Sequence, residues 1–169
     1  MKSVHAVAAV FAIVVVIAAA YLVVSASAAF VVSVGDNVSV YYTGSFTNGT
    51  VFNSNVGQPQ PFTFTVGANQ VIPGFDQAVI GMKLNQTKNV TIPVDEAYGP
   101  VNQSLILHVP LSDFGNKTVT VGTIVTNTYG YQGEVIAVNA TNATVNFNSP
   151  LAGKTLVFSI RVVKISKHV

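Results

Sequence analysis

The chain has 169 residues, enough for one domain or for one domain carrying a modest insertion. Charged residues make up 8% of it, against about 25% in typical soluble proteins, and the net charge of +2 comes from scattered side chains with no basic stripe to suit nucleic acid. There is no cysteine, which excludes disulfides, thiolate nucleophiles and cysteine metal sites.

Lys2 and His5 precede an uncharged run from Ala6 to Val24, "AVAAVFAIVVVIAAAYLVV". It is long enough to cross a bilayer as a helix and longer than the usual core of a cleaved signal. The small residues "SASAA" at 25–29 also suit signal peptidase. Residues 1–33 are therefore expected to be a signal or a membrane anchor, with an anchor favoured. Either places the rest of the chain outside the cytoplasm, secreted or on the extracytoplasmic face of the membrane. Eight Asn-x-Ser/Thr patterns, at Asn37, Asn48, Asn85, Asn89, Asn102, Asn116, Asn139 and Asn142, fit an exported glycoprotein. With 14 Asn and 27 Ser or Thr, composition alone predicts roughly two, although a Thr- and Asn-rich β protein accumulates such patterns readily.

From Val34 onward, short runs alternate apolar and polar residues between turn signals. "VSVYYTG" (38–44) reads as a strand, and "FTNGT" after it carries an Asn48-Gly49 hairpin turn. "VFNS" and "PFTFTVG" come next as short strands. "VIPGFDQAVIGM" (71–82) reads as the one helix after residue 35: Pro73 and Gly74 open it, Gly81 closes it, and Val71, Ile72, Phe75, Val79 and Met82 fall near one face. "TKNVTIPV" (87–94) is another strand, and "TLVFSIRVVKI" (155–165), the longest alternating run, is predicted to be central. Residues 101–149 have a β character of their own, and the loops "EAYGPVNQ" and "NSPLAGK" on either side favour an insertion.

His5, His108 and His168 are the only imidazoles, and six carboxylates are spread along the chain. They assemble into no Ser/His/Asp set, zinc site or phosphate-cradling loop, so any enzyme here works without nucleophile, general base, metal or cofactor. Aromatic side chains at turn-adjacent positions are abundant instead: Tyr42, Phe52, Phe62, Phe64, Phe75, Tyr98 and Phe158.

"VYYTGSFTNGTVFNS", "PFTFTVGANQVIPGFDQAVIGM", "VTIPVDEAYG" and "TLVFSIRVVKI", in that order and at that spacing, resemble an FKBP-type peptidyl-prolyl cis-trans isomerase. The middle, "AYG", "HVPLSDF", "VGTIVT" and "SPLAGKTLVF", resembles the SlyD-like subfamily, in which a small insert-in-flap domain comes after the AYG motif. The resemblance implies an α+β, mostly β fold, an antiparallel sheet wrapped around one short helix. Residues 34–100 and 150–169 would form the isomerase domain and 101–149 the inserted β domain. It also implies that Val71, Ile72 and Phe75 line a pocket floor, with Tyr42, Phe52, Phe62 and Phe158 as walls and Tyr98 at the rim. Phe75 stands where most relatives carry Trp. Asn53 stands where the family usually has an aspartate that holds a tyrosine hydroxyl, so the hydrogen bond is retained and the charge lost. Phe64 is expected to be core, turned differently from its neighbours by alternation. The SlyD-like metal-binding tail is absent from "ISKHV", so no metal is expected.

The partners implied are unfolded or proline-containing polypeptides and an FK-type macrolide, with the protein acting as a monomer. The insert is expected to bind clients through Leu105, Leu107, Tyr129 and Tyr131, with Ile106 and Val109 beside them. Scarce carboxylates suit a working environment of low pH. The rival readings are a non-catalytic holdase or adhesion module on the same fold, which Asn53 favours, and a pilin-like surface subunit built on the apolar N-terminus.

Overall fold

The computed structural model describes residues 31–115 and 117–168. The apolar run, "SASAA" and the Asn116 acceptor pattern lie outside these residues, and no described helix is long and apolar enough to cross a membrane. The described chain divides into two compact units, 31–92 with 156–168, and 93–155.

The first unit contains β1 (Asn37–Phe46), β2 (Val51–Ser54), β3 (Phe62–Thr65), the helix α1 (Pro73–Val79), β4 (Thr87–Ile92) and β9 (Leu156–Ser166). They form a five-stranded sheet of order β2-β1-β9-β4, with β3 also on β1, and every pairing is antiparallel. The last alternating run is indeed internal: β9 pairs with β1 from Asn37↔Ser166 to Phe46↔Leu156, and with β4 from Thr87↔Arg161 to Ile92↔Leu156. Its alternation sends Leu156, Phe158, Ile160 and Val162 to one face, where they are buried with Val38, Val40 and Ile92. Gly74, Phe75, Ala78 and Val79 of α1 complete this core.

The helix is shorter than its apolar spacing predicts. Pro73 occupies its first turn, and the ring of a proline drives the preceding residue extended, so Ile72 sits at φ −60°, ψ 146° outside the helix. Ile80 turns extended at the other end and Gly81 comes next at φ 78°. Val71, Ile72 and Met82 therefore flank the helix. Met82 is still buried, held by the amide of Val32 donating to its carbonyl at 2.9 Å. The Lys88 ammonium donates to the Ala78 carbonyl at 3.0 Å and ties the end of α1 to β4. The fourth strand also stops short of its expected end, at Ile92, because Pro93 has no amide to continue the ladder and Val94–Glu96 coil into a 3-10 turn.

β2 and β3 share one edge of β1, β3 along Asn37–Val40 and β2 along Thr43–Ser45. Asn55 fills the gap between them. Its Oδ1 accepts the Tyr42 amide at 2.7 Å, its Nδ2 donates to the Val40 carbonyl at 3.0 Å, and its own amide donates to the Tyr42 carbonyl at 3.1 Å. Asn55, with the Ser54 hydroxyl that also donates to the Tyr42 carbonyl at 3.0 Å, thus satisfies a stretch of strand edge between β3 and β2.

The second unit is a four-stranded antiparallel sheet of order β5-β8-β7-β6, from β5 (Ile106–Pro110), β6 (Ile124–Thr126), β7 (Gln132–Val138) and β8 (Asn142–Asn146). Its core is small: Val135, Ala143 and Val145 are buried, ringed by Val109, Leu111, Phe114, Val119, Val125 and Phe147.

One ion pair stands out in a chain with so few charges. Asp36, 3% exposed, accepts from the Lys167 ammonium at 2.9 Å, the Ser33 amide at 2.8 Å and the His168 amide at 3.3 Å. Burial pushes its carboxyl up, but the Lys167 bond, the two amides and the Lys167 charge outweigh it and hold the carboxyl below its ordinary 3.8. A depressed folded-state value means that the ionised form stabilises the fold. That contribution is complete above the ordinary value and disappears as pH falls through the lowered one. Thermal melts are expected to be nearly flat from pH 7 to about 4 and to fall only below that. Asp36→Asn should lose about 2 kcal/mol at pH 7 and show a smaller loss at pH 3, so that the two proteins converge in acid. Parallel curves across the range would show that Asp36 does not carry the pH dependence.

Candidate active site

Three rings from three elements lock together in the first unit. Tyr42 of β1, Phe75 of α1 and Phe158 of β9 meet pairwise, with centroids 5.6 Å apart for Tyr42–Phe75, 5.2 Å for Phe75–Phe158 and 6.1 Å for Tyr42–Phe158. The two Phe75 pairs are edge-to-face at 82° and 85°. This geometry sets the positive edge of one ring against the negative face of the next, adding about 0.5–1.5 kcal/mol per pair to the burial itself. Phe62 extends the array beside Tyr42 at 6.2 Å, and Phe52 extends it beside Phe158 at 5.8 Å. Phe75 and Phe158 are buried, Tyr42 and Phe52 half-buried, and Phe62 39% exposed. Burial therefore grades from a closed floor to an open wall.

Gly44 makes this packing possible. A Cβ there would lie 2.7 Å from Phe52 Cζ and 2.8 Å from Phe158 Cε1, so a side chain would drive both rings away from the strand. In sequence Gly44 reads as the end of a strand, whereas it lies inside β1 as the surface on which two rings rest. Phe46, which reads as part of the hairpin turn, packs on Phe52 at 5.1 Å and supports it from behind. Asn55 reads only as a loop residue, and a side chain imitating a strand leaves no periodic signal.

The polar part of the site is sparse. The Tyr42 hydroxyl donates to Asn53 Oδ1 at 3.1 Å, the bond expected to survive the exchange of aspartate for asparagine. Val71 and Ile72 are half-buried just before α1. The Ile72 carbonyl accepts from the Phe75 and Asp76 amides, while among the described residues its own amide has no partner. No group of His, Cys, Asp or Glu that could hold a metal occurs among the described residues. What the arrangement offers is an aromatic array, buried at one end and open at the other, with one oriented hydroxyl and one backbone donor.

Phe64 is core, at 2% exposed, but alternation is not the reason. Phe62 and Phe64 are two apart on β3 and share a face, their rings stacked 5.7 Å apart; Phe64 is simply the deeper of the two and meets Phe75 at 5.8 Å. Tyr98 lies just after the 3-10 turn Val94–Glu96 in the second unit, its side chain exposed. Leu105, Leu107, Tyr129 and Tyr131, also in the second unit, are all exposed, with Tyr129 reaching 85%, while Ile106 and Val109 are half-buried.

Residues 31–163 match the model of the FKBP-type peptidyl-prolyl cis-trans isomerases, and the chain belongs to that family. It is similar to FK506-binding protein 1 of Dictyostelium discoideum, 44% identical over 89 residues, covering 48% of this chain and 83% of the relative. It is 31% identical over 139 residues to a probable FKBP-type 16 kDa peptidyl-prolyl cis-trans isomerase of Pseudomonas fluorescens, covering 78% of this chain and 91% of that one. A short-type peptidyl-prolyl cis-trans isomerase of Methanocaldococcus jannaschii is 36% identical over 105 residues, covering 61% of this chain and 66% of the relative. The protein is an isomerase of X–Pro bonds, of a family that binds proline-containing substrates and FK506-type ligands.

Gly44→Ala tests the packing. The displaced Phe52 and Phe158 rings should cost about 1–3 kcal/mol of stability. Isomerase kcat/KM should fall at least tenfold, measured where circular dichroism shows the protein still folded. Unchanged activity would mean that the rings over Gly44 take no part in the site.

Proposed function

We propose that the Tyr42–Phe75–Phe158 floor holds the proline ring of the substrate, with Phe52 and Phe62 as walls. The interlocked rings carry this reading, because they provide a rigid apolar seat with little means of acid–base chemistry beside it. An X–Pro bond rotates over a barrier of about 18–20 kcal/mol set by amide resonance, and that resonance is lost in the twisted transition state. An apolar seat that strips water from the amide favours the less polar twisted form, since the ground-state carbonyl loses its hydration. The Ile72 amide serves as a donor that fixes the substrate chain, and Asn53 orients the Tyr42 hydroxyl without supplying a charge. A thousandfold acceleration needs about 4 kcal/mol, which packing and a few hydrogen bonds supply without moving a proton.

The same reading extends to the whole chain. Residues 101–149 act as a SlyD-like insert that captures unfolded polypeptides, residues 6–24 tether the protein to the membrane or direct its export, and it works as a glycoprotein monomer outside the cytoplasm on exported clients. Two observations support the insert: the exposed apolar side chains on so small a core, and a Pseudomonas relative whose match, at 78% of this chain, is long enough to run into the second unit. The open edges of β5 and β6 suit strand addition by extended peptide.

A protease-coupled assay on residues 29–169 with a short X–Pro peptide tests the seat. Phe52→Ala should lower kcat/KM at least tenfold with the fold intact, and an unchanged value would remove Phe52 from the seat. Replacing residues 101–149 by a short Gly/Ser loop should preserve peptide isomerisation and remove most of the acceleration of a proline-limited refolding reaction. Equal survival of both activities would rule out client capture by the insert.

A further inference from the structure

The sheet of the first unit turns a second face away from the core. The alternation that buries Phe158, Ile160 and Val162 sets Ser159 and Arg161 on the opposite side of β9. The pairings Tyr41↔Arg161, Thr87↔Arg161 and Thr43↔Ser159 bring β1 and β4 side chains alongside them. The loop after β2 forms a wall at one edge of this face. A concavity of about 320 Å³ results, between Tyr41, Thr87, Ser159 and Arg161 on the sheet and Val56 and Gln58 on the loop. The wall is held in place: the Tyr41 hydroxyl donates to the Gln58 carbonyl at 3.3 Å, and the Gln58 amide donates to the Asn55 carbonyl at 3.1 Å. Gly57, at φ 86°, supplies the left-handed turn between these residues. The concavity thus exists before any ligand arrives, and little ordering entropy is spent on binding there.

Its lining is rich in donors and contains no carboxylate. The Arg161 guanidinium, the Ser159 and Thr87 hydroxyls and the Gln58 side-chain amide have no hydrogen-bond partner among the described residues. A guanidinium brings a fixed positive charge and five N–H donors, so it selects for an anion. The other free donors come from a second strand and from the loop, and they approach from several directions. A tetrahedral oxyanion can use such a set, whereas a planar carboxylate engages the guanidinium fork alone. The Tyr41 ring and the Val56 side chain add an apolar flank beside these donors. We propose that this concavity binds a small phosphate monoester, its phosphate on Arg161, Ser159 and Thr87 and its organic body against Tyr41 and Val56. None of the lining residues belongs to the aromatic floor or its walls, so the site is separate from the isomerase seat.

The test follows backbone amide shifts while phenyl phosphate, inorganic phosphate or phenylacetate is added at constant ionic strength and about pH 7.5, where a phosphate monoester is almost fully doubly charged. Phenyl phosphate should move the amides of Gln58, Thr87, Ser159 and Arg161 saturably. It should bind about tenfold more tightly than phenylacetate, and more tightly than inorganic phosphate. Arg161→Gln should weaken it about tenfold while kcat/KM on a short X–Pro peptide stays at the wild-type value. In Ser159→Ala/Thr87→Val the preference for phenyl phosphate over phenylacetate should fall towards one. Should either variant not fold, the wild-type order of affinities and the place of the shifts decide. Equal binding of phenylacetate, affinity retained in Arg161→Gln or shifts confined to other residues would each overturn the site. Phenyl phosphate no tighter than inorganic phosphate would leave an adventitious ion only. A fall of kcat/KM in Arg161→Gln would overturn its separation from the isomerase seat.

Discussion

The rest of the first unit depends on three rings meeting at close quarters, one each from β1, α1 and β9. These elements are far apart in sequence, and each brings its ring by a different local rule. Alternation delivers Phe158 along the central strand, the proline-started helix delivers Phe75 from its first turn, and Asn55 locks the backbone of Tyr42 from the loop side. Gly44 leaves the space into which Phe52 and Phe158 settle. The site is therefore the core's own edge, left open where Phe62 and Tyr42 reach solvent, rather than a cleft cut into an otherwise complete structure.

That origin explains a catalyst with so little chemistry. The reaction needs no bond made or broken to another atom, only a solvent-poor seat and a fixed substrate chain. In the proposed site packing supplies the seat, and packing is indifferent to pH and to redox state. The most pronounced electrostatic feature among the described residues of the first unit, Asp36 with Lys167, joins the start of the sheet to its last strand and takes no part in the seat.

Much of this is legible in the sequence because it is periodic or ordered. The alternation of 155–165 marks a central strand, and four motifs in family order mark the ring positions before any contact is visible. Apolar spacing overextends the helix, because it continues through Val71, Ile72 and Met82 while the backbone obeys Pro73 and Gly81. Gly44, Phe46 and Asn55 leave no mark in the sequence for a common reason. Each matters through a close approach between segments of the fold or through a side chain replacing a strand, and neither leaves a local pattern. Phe64 lies in the core as expected but not for the expected reason, since its parity matches that of Phe62 and depth alone separates them.

The most direct measurement of the central claim is a two-dimensional NMR experiment on residues 29–169 with an X–Pro peptide in excess. The account predicts exchange cross-peaks between the cis and trans peptide that are absent without protein. It also predicts nuclear Overhauser contacts from the proline ring protons to the rings of Tyr42, Phe75 and Phe158. Exchange without contacts to these three rings, or proline contacts only to the second unit, would contradict it.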